Sequence, residues 1–268
     1  DYGDYTIWWG HANSPVLYQD LVISVCMQDS LADLQEKPVE SYLVAHDKQT
    51  GKERWKTLRM TQASAEKCDS YTTPIFYQHK NQVYLIVVGA DQVDAYEPNT
   101  GKKLWYLAGL ARGRTITGPT LGQGLVFATQ GFRGPLYAIR LGGKGQLTEA
   151  DVAWKQPQGT ADTSCPVIWK DLIFWITDNG VAHCHDAKTG SPKWERRLAG
   201  DFKASPLAAE GRIYFLNLAG KCTVVAAASE FQKLAENQVD EDTIASPAVS
   251  DAKIFLRGHK TLYCLGNK

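Results

Sequence analysis

Several things are scarce or missing in this chain. No apolar run approaches the about 20 residues that a membrane-crossing helix needs. Net charge is absent, with 29 Lys and Arg against 29 Asp and Glu, so there is no electrostatic reason to expect nucleic acid or an anionic membrane as partner. The six cysteines, Cys26, Cys68, Cys165, Cys184, Cys222 and Cys264, include no C-x-x-C and no adjacent pair. That spacing argues against a zinc ribbon or a redox motif, and six cysteines in 268 residues do not make a disulfide scaffold. Helical signals are confined to one short stretch, Ser229 to Glu236, read as a turn of helix. The chain opens on Asp1 with no signal peptide in view, and an upstream piece is expected to have been removed by processing or truncation.

What is present is a set of short β-branched and aromatic runs punctuated by Gly, Pro, Asp and Asn, which reads as all-β. A proline element recurs before an apolar run, at Ser14-Pro15, Thr73-Pro74, Gly118-Pro119, Cys165-Pro166, Ser205-Pro206 and Ser246-Pro247. The prolines stand 59, 45, 47, 40 and 41 residues apart, close to the length of one four-stranded propeller blade. Each unit then carries a strongly apolar second strand: Leu21 to Val25, Val83 to Val88, Leu125 to Ala128, Leu172 to Ile176, Arg212 to Leu216, and Lys253 to Leu256. A third strand follows with a small residue in its middle, at Ala45, Ala95, Ala138, Cys184 and Cys264. The next turn is the most specific element. It reads Asp47-Lys48-Gln49-Thr50-Gly51, Glu97-Pro98-Asn99-Thr100-Gly101 and Asp186-Ala187-Lys188-Thr189-Gly190. Its acidic side chain accepts backbone N–H bonds, and its Gly supplies the positive φ such a hairpin needs.

Four residues past the Gly stands Trp55, Trp105 or Trp194. Trp154 takes this place in the third unit, after a turn lengthened to Gly142–Asp151, and Phe231 is expected to take it in the fifth. A single four-stranded blade cannot bury both its faces. A large aromatic on the outer strand fills the seam to its neighbour, and the small residue beside it, Cys184 and Cys264 included, leaves room for the ring. Six units are visible, and the last lacks a fourth strand, for which Tyr5 to Trp9 is the candidate donor.

These residues resemble the repeat of the pyrroloquinoline-quinone (PQQ)-like β-propeller family, a third strand followed by Asp-x-x-Thr-Gly and Trp. The likeness runs from about Trp9 to Gly266, and is greatest to the PQQ-repeat proteins of planctomycete-type bacteria. It implies one all-β domain over residues 1–268, a β-propeller of four-stranded antiparallel blades. Relatives often have eight blades, among them the outer-membrane assembly lipoprotein, so two alternatives stand: a ring closed at six, or upstream blades lost. The resemblance also implies a secreted or periplasmic scaffold.

In such a blade the loop leading into strand one and the loop between strands two and three share a face, and sites over a propeller channel use that face. Candidate ligand-binding residues at this mouth are Trp9, His11, Asn13, Arg112, Arg114, Arg133, Asp162, Asp178, Lys203 and Arg257. The longest insertion, Cys26 to Ser41, is polar and acidic, and reads as a solvated loop or as a lid. His183-Cys184-His185 alternates along a strand, with both imidazoles on one face, and aligns with packing positions of other blades rather than with a metal motif. There is no Cys-Cys, no Gly-x-Ser-x-Gly and no Gly-rich phosphate loop.

The expected function is therefore a non-catalytic scaffold, monomeric and without cofactor, that binds a protein partner or small-molecule ligand in the periplasm or outside the cell. The alternatives are an oxidoreductase using PQQ with calcium, and a sensor module of a larger multidomain protein.

Overall fold

The computed structural model describes Tyr2 and residues 5–28, 40–110 and 113–266. The chain divides into two compact units, residues 1–155 and 156–268, each holding three sheets. In the first unit, blade 1 takes β1 (Val16–Tyr18), β2 (Leu21–Cys26), β3 (Tyr42–Asp47) and β4 (Glu53–Leu58), and blade 2 takes β5 (Ile75–His79), β6 (Gln82–Gly89), β7 (Gln92–Tyr96) and β8 (Lys103–Ala108). Blade 3 takes β9 (Thr120–Gly122), β10 (Leu125–Thr129) and β11 (Leu136–Arg140). The chain then makes β12 (Gly145–Gln146), which pairs in parallel with β8, before β13 (Val152–Gln156) completes blade 3. The lengthened turn of the third unit thus gives blade 2 a fifth strand.

In the second unit, blade 4 takes β14 (Val167–Trp169), β15 (Leu172–Ile176), β16 (Val181–Asp186) and β17 (Pro192–Arg197), and blade 5 takes β18 (Leu207–Ala209), β19 (Arg212–Leu216), β20 (Lys221–Ala226) and β21 (Lys233–Gln238). Blade 6 has three strands, β22 (Ala248–Ser250), β23 (Lys253–Arg257) and β24 (Leu262–Leu265).

The turns form as their residues dictate. Gln123-Gly124 and Glu210-Gly211 put both central residues at positive φ, the type I′ arrangement whose twist matches paired strands. In the acidic turns, the Asp47 carboxylate accepts from the Gln49 and Thr50 N–H groups and the Thr50 hydroxyl, at 3.1, 2.9 and 3.0 Å. Asp186 repeats the set with Lys188 and Thr189. These donors favour the charged form and hold both carboxyls below the usual range.

The register confirms the pairing of tryptophan with small residue. Ala45 lies opposite Trp55, Ala95 opposite Trp105, and Cys184 opposite Trp194. Each indole sits in the core shared with the next blade: Trp55 between blades 1 and 2, Trp105 between 2 and 3, Trp194 between 4 and 5. Trp55 Nε1 donates to Pro98 O at 3.1 Å, and its ring covers Gly101, where a Cβ would lie 2.4 Å from Trp55 Cε3. The Gly of the turn is thus required both by its φ of 67° and by the indole of the preceding blade.

The proline element also has a structural role. The N–H of the residue before one proline donates to the hydroxyl before the next: Ser14 to Thr73 Oγ1 at 3.0 Å, Cys165 to Ser205 Oγ at 2.9 Å, and Ser205 to Ser246 Oγ at 2.9 Å. Between blades 1 and 2 a buried ion pair adds to the seam. Arg59 Nε donates to Asp94 Oδ2 at 2.9 Å, Lys103 Nζ stands 3.0 Å from Asp94 Oδ1, and both Arg59 and Asp94 side chains are fully buried.

Four sequence expectations are corrected. Residues 229–236 are not helical, because their second half is strand β21, paired with β20. Phe231 does not hold the seam position of blade 5. The turn after β20 is long enough to place Phe231 back against Trp194, ring centroids 5.2 Å apart, and Ala235 lies opposite Val224 where the other blades carry Trp. Cys264 is exposed rather than packed, since no fourth strand covers β24 among the described residues. Residues 5–9 form no strand. Tyr5 donates to Met27 O at 3.0 Å and the Thr6 N–H to Gln28 Oε1 at 2.7 Å, so this segment lies on blade 1. Most of the Cys26–Ser41 insertion, residues 29–39, lies outside the described residues.

Candidate functional site

In the first unit, the loops leading into blades 1, 2 and 3 meet. Tyr71 N–H donates to Thr115 O at 2.8 Å and Thr115 N–H to Asp69 O at 3.1 Å, strapping two of these loops together. The Asp69 side chain is buried beneath them, 3.4 Å from both the Trp8 N–H and the Tyr71 hydroxyl. Burial and then the Asp69 charge push the Tyr71 phenol up to about 12, so at neutral pH it stays protonated and donates. This framework leaves Trp8 58% and Trp9 75% exposed.

Beside it, Arg114 lays its guanidinium over Phe132, 4.6 Å from the ring centroid. Phe132 and Arg133 both adopt the left-handed conformation, with φ of 51° and 56°, which costs about 1–2 kcal/mol for each non-glycine residue. The Phe132 ring packs over Gly113, where a Cβ would lie 2.8 Å from it. Buried Gln130 fixes the base of this loop, its amide donating to Asp91 Oδ1 at 2.7 Å and to Gly113 O. The outcome is a presented surface of Trp8, Trp9, Phe132 and exposed Arg133, with Arg114 and Tyr71 beneath. Exposed indoles, a phenyl ring and arginine are the side chains that dominate binding hot spots.

The remaining candidates are placed differently. His11 is exposed, with its ring edge-on to Tyr5 at 4.9 Å. Asn13 is buried and donates to Val25 O at 2.7 Å, within the frame of blade 1. Arg112 lies outside the described residues. In the second unit, Asp162, Asp178 and Lys203 come together. Asp178 accepts from the Asp162 N–H at 2.9 Å and from Lys203 Nζ at 2.7 Å, with Thr163 completing its shell, so the charges of Asp178 and Lys203 are spent on each other. Arg257 lines a separate hollow of about 310 Å³ with Asp242, Ile244 and His259.

His183 and His185 pack on Trp175, ring centroids 4.9 and 4.5 Å away. Among the described residues, no group of three or more His, Cys, Asp or Glu is placed to hold a metal.

Sequence position singled out loops that meet in the first unit, but it did not reveal that Phe132, Tyr71 and Asp69 pack around them. The available signal was Gly113 beside Arg114 and the run Gly131-Phe132-Arg133-Gly134.

The blades, acidic turns and seam tryptophans define a β-propeller of PQQ-like repeats. The model of the family described as outer membrane protein assembly factor BamB matches residues 39–153 and 145–237, and the chain belongs to that family. Among solved structures, BamB from Moraxella catarrhalis aligns with a TM-score of 0.64 at 12% identity, over 91% of this chain and 68% of that one. The computationally designed Ika8 protein aligns with the same TM-score and identity, over 92% of this chain and 67% of its own. At 12% identity the likeness is one of fold. No curated protein matches the chain. Among the described residues, no helix is long and apolar enough to cross a membrane.

Proposed function

We propose that this protein is a non-catalytic propeller scaffold outside the cytoplasm, which binds a partner protein through the Trp8, Trp9, Phe132 and Arg133 surface of its first unit. The observation that carries this reading is the pair of exposed indoles beside an arginine-stacked phenyl ring on a left-handed loop. Strained backbone that presents apolar side chains to solvent is retained where a ligand uses it. Membership of a family described as an assembly factor supports a binding role and a place in the cell envelope, although the fold alone fixes neither.

The reading without a cofactor rests on the donors present. Calcium with PQQ needs a cluster of carboxylate and amide oxygens, whereas Asp178 is already saturated by Lys203 and backbone N–H groups. The test compares wild type with Trp9→Ala/Arg133→Ala in capture from an envelope extract, alongside titration with PQQ and calcium followed by absorbance and thermal shift. A partner held by wild type and lost by the folded variant, with no PQQ binding, is the expected result. Saturable PQQ binding with a raised Tm would replace this reading by an oxidoreductase.

A further inference from the structure

The loop leading into blade 6 and the turn between β23 and β24 border an open hollow of about 310 Å³, at the lower end of the ~300–1,000 Å³ typical of small-ligand sites. Its walls are Asp242, Ile244 and Ala245 from the loop and Arg257, Gly258 and His259 from the turn. Both walls are held in place. Buried Thr243 ties the loop to blade 5, its N–H donating to Leu218 O at 2.8 Å and its hydroxyl to Asn217 O at 2.7 Å. The Gly258 N–H closes the turn on Thr261 O at 2.8 Å. Glu241 clamps the turn to the loop, its carboxylate accepting from the Lys260 N–H at 2.6 Å, the Thr261 N–H at 3.2 Å and the Tyr263 hydroxyl at 3.0 Å. Hydrogen bonds from Thr261 and then Lys260 hold this carboxyl down to about 2, so it remains an acceptor at neutral pH.

The loop spends Glu241 on this frame but leaves the charges of the hollow itself unspent. Among the described residues, the Asp242, Arg257 and His259 side chains make no hydrogen bond or ion pair, and Asp242 and Arg257 do not pair with each other. An anion alone would suit Arg257 and be repelled by Asp242, and a cation alone would meet the reverse. A ligand that carries both charges satisfies both walls. Beside them Ile244, 72% exposed, adds an aliphatic surface open to solvent.

We propose that this hollow binds a small zwitterion, an α-amino acid with an aliphatic side chain. Arg257, with His259 beside it, takes the α-carboxylate, Asp242 takes the α-ammonium group, and Ile244 and Ala245 cover the side chain. The site belongs to the second unit and does not rest on the partner surface of the first.

The experiment titrates the folded chain with L-leucine, read by calorimetry and by thermal shift. Wild type is expected to bind one equivalent saturably, with Tm rising with ligand concentration. N-acetyl-leucine lacks the cation and leucinamide lacks the anion, and each is expected to bind at least about tenfold more weakly, the loss of one charge-assisted hydrogen bond. Asp242→Asn is expected to abolish the preference for leucine over N-acetyl-leucine, and Arg257→Gln the preference over leucinamide. Both residues are exposed, so neither substitution threatens the fold. Trp9→Ala/Arg133→Ala is expected to bind leucine as wild type does. Absence of saturable binding to folded wild type, equal binding of the three compounds, or preferences unchanged by both substitutions would overturn the proposal.

Discussion

The two units are built from the same repeat and treat their charges in opposite ways. In the second unit the lead-in loops consume their polar groups internally: Asp178 takes Lys203 and two loop residues, and Glu241 accepts from the Lys260 and Thr261 N–H groups and the Tyr263 hydroxyl. In the first unit the polar groups, Asp69, Gln130 and Tyr71, lie beneath the surface and hold up aromatic rings that remain exposed. The seams differ as well. Trp55 and Trp105 fill those of the first unit, while on blade 5 the exposed Ala235 stands opposite Val224, where blades 1, 2 and 4 carry tryptophan. What distinguishes one unit from the other therefore lies where the repeat is not obeyed.

The comparison can be broken first at the seams. Trp105 is fully buried between blades 2 and 3, so Trp105→Ala is expected to cost about 3–5 kcal/mol in urea unfolding. A loss below about 1 kcal/mol would show that the indoles are not what holds neighbouring blades together. Arg59→Ala strips the fully buried Asp94 of its closest partner and leaves Lys103 and Gln92, with an expected loss of about 3 kcal/mol.

A pH series sharpens the contrast from the second unit. Burial, and then the neighbouring His185, lowers the His183 imidazole from 6.5 to about 4. Glu195, 3.4 Å away but 67% exposed, is too well solvated to offset this. The unfolded chain takes up the proton first, so this contribution is whole above pH 6.5 and is lost as the pH falls towards 4, to a total of up to about 3 kcal/mol. His183→Gln is expected to flatten that part of the profile of urea midpoint against pH. The smallest effect is expected at Lys203→Ala, where the pair with Asp178 is 40% and 27% exposed. The loss should stay under about 1 kcal/mol and shrink in salt.

Much of the fold was legible because strand alternation, Gly at positive φ and Trp at a fixed spacing are local signals. The six apolar second strands each match a strand of the structure. Phe231 was misplaced because the turn after β20 is longer than its counterparts, and Ala235 rather than an aromatic comes opposite Val224. The Arg59–Asp94 pair joins residues on two blades, and nothing local in either segment announces it. For the candidate site, loop position grouped Trp9 with Arg114 and Arg133, since chain geometry decides which loops share a face. It did not foresee that Asp178 and Lys203 would neutralise each other, because that depends on side-chain reach across two loops.

The central claim, that the exposed aromatic surface of the first unit is the binding surface, is tested most directly by placing a photo-crosslinking amino acid at Trp9 in one chain and at Lys203 in another, both irradiated in the cell envelope. A discrete crosslinked partner from position 9 and none from position 203 is the expected result. Equal adducts from both positions, or none from position 9 in a chain shown to be folded, would contradict it.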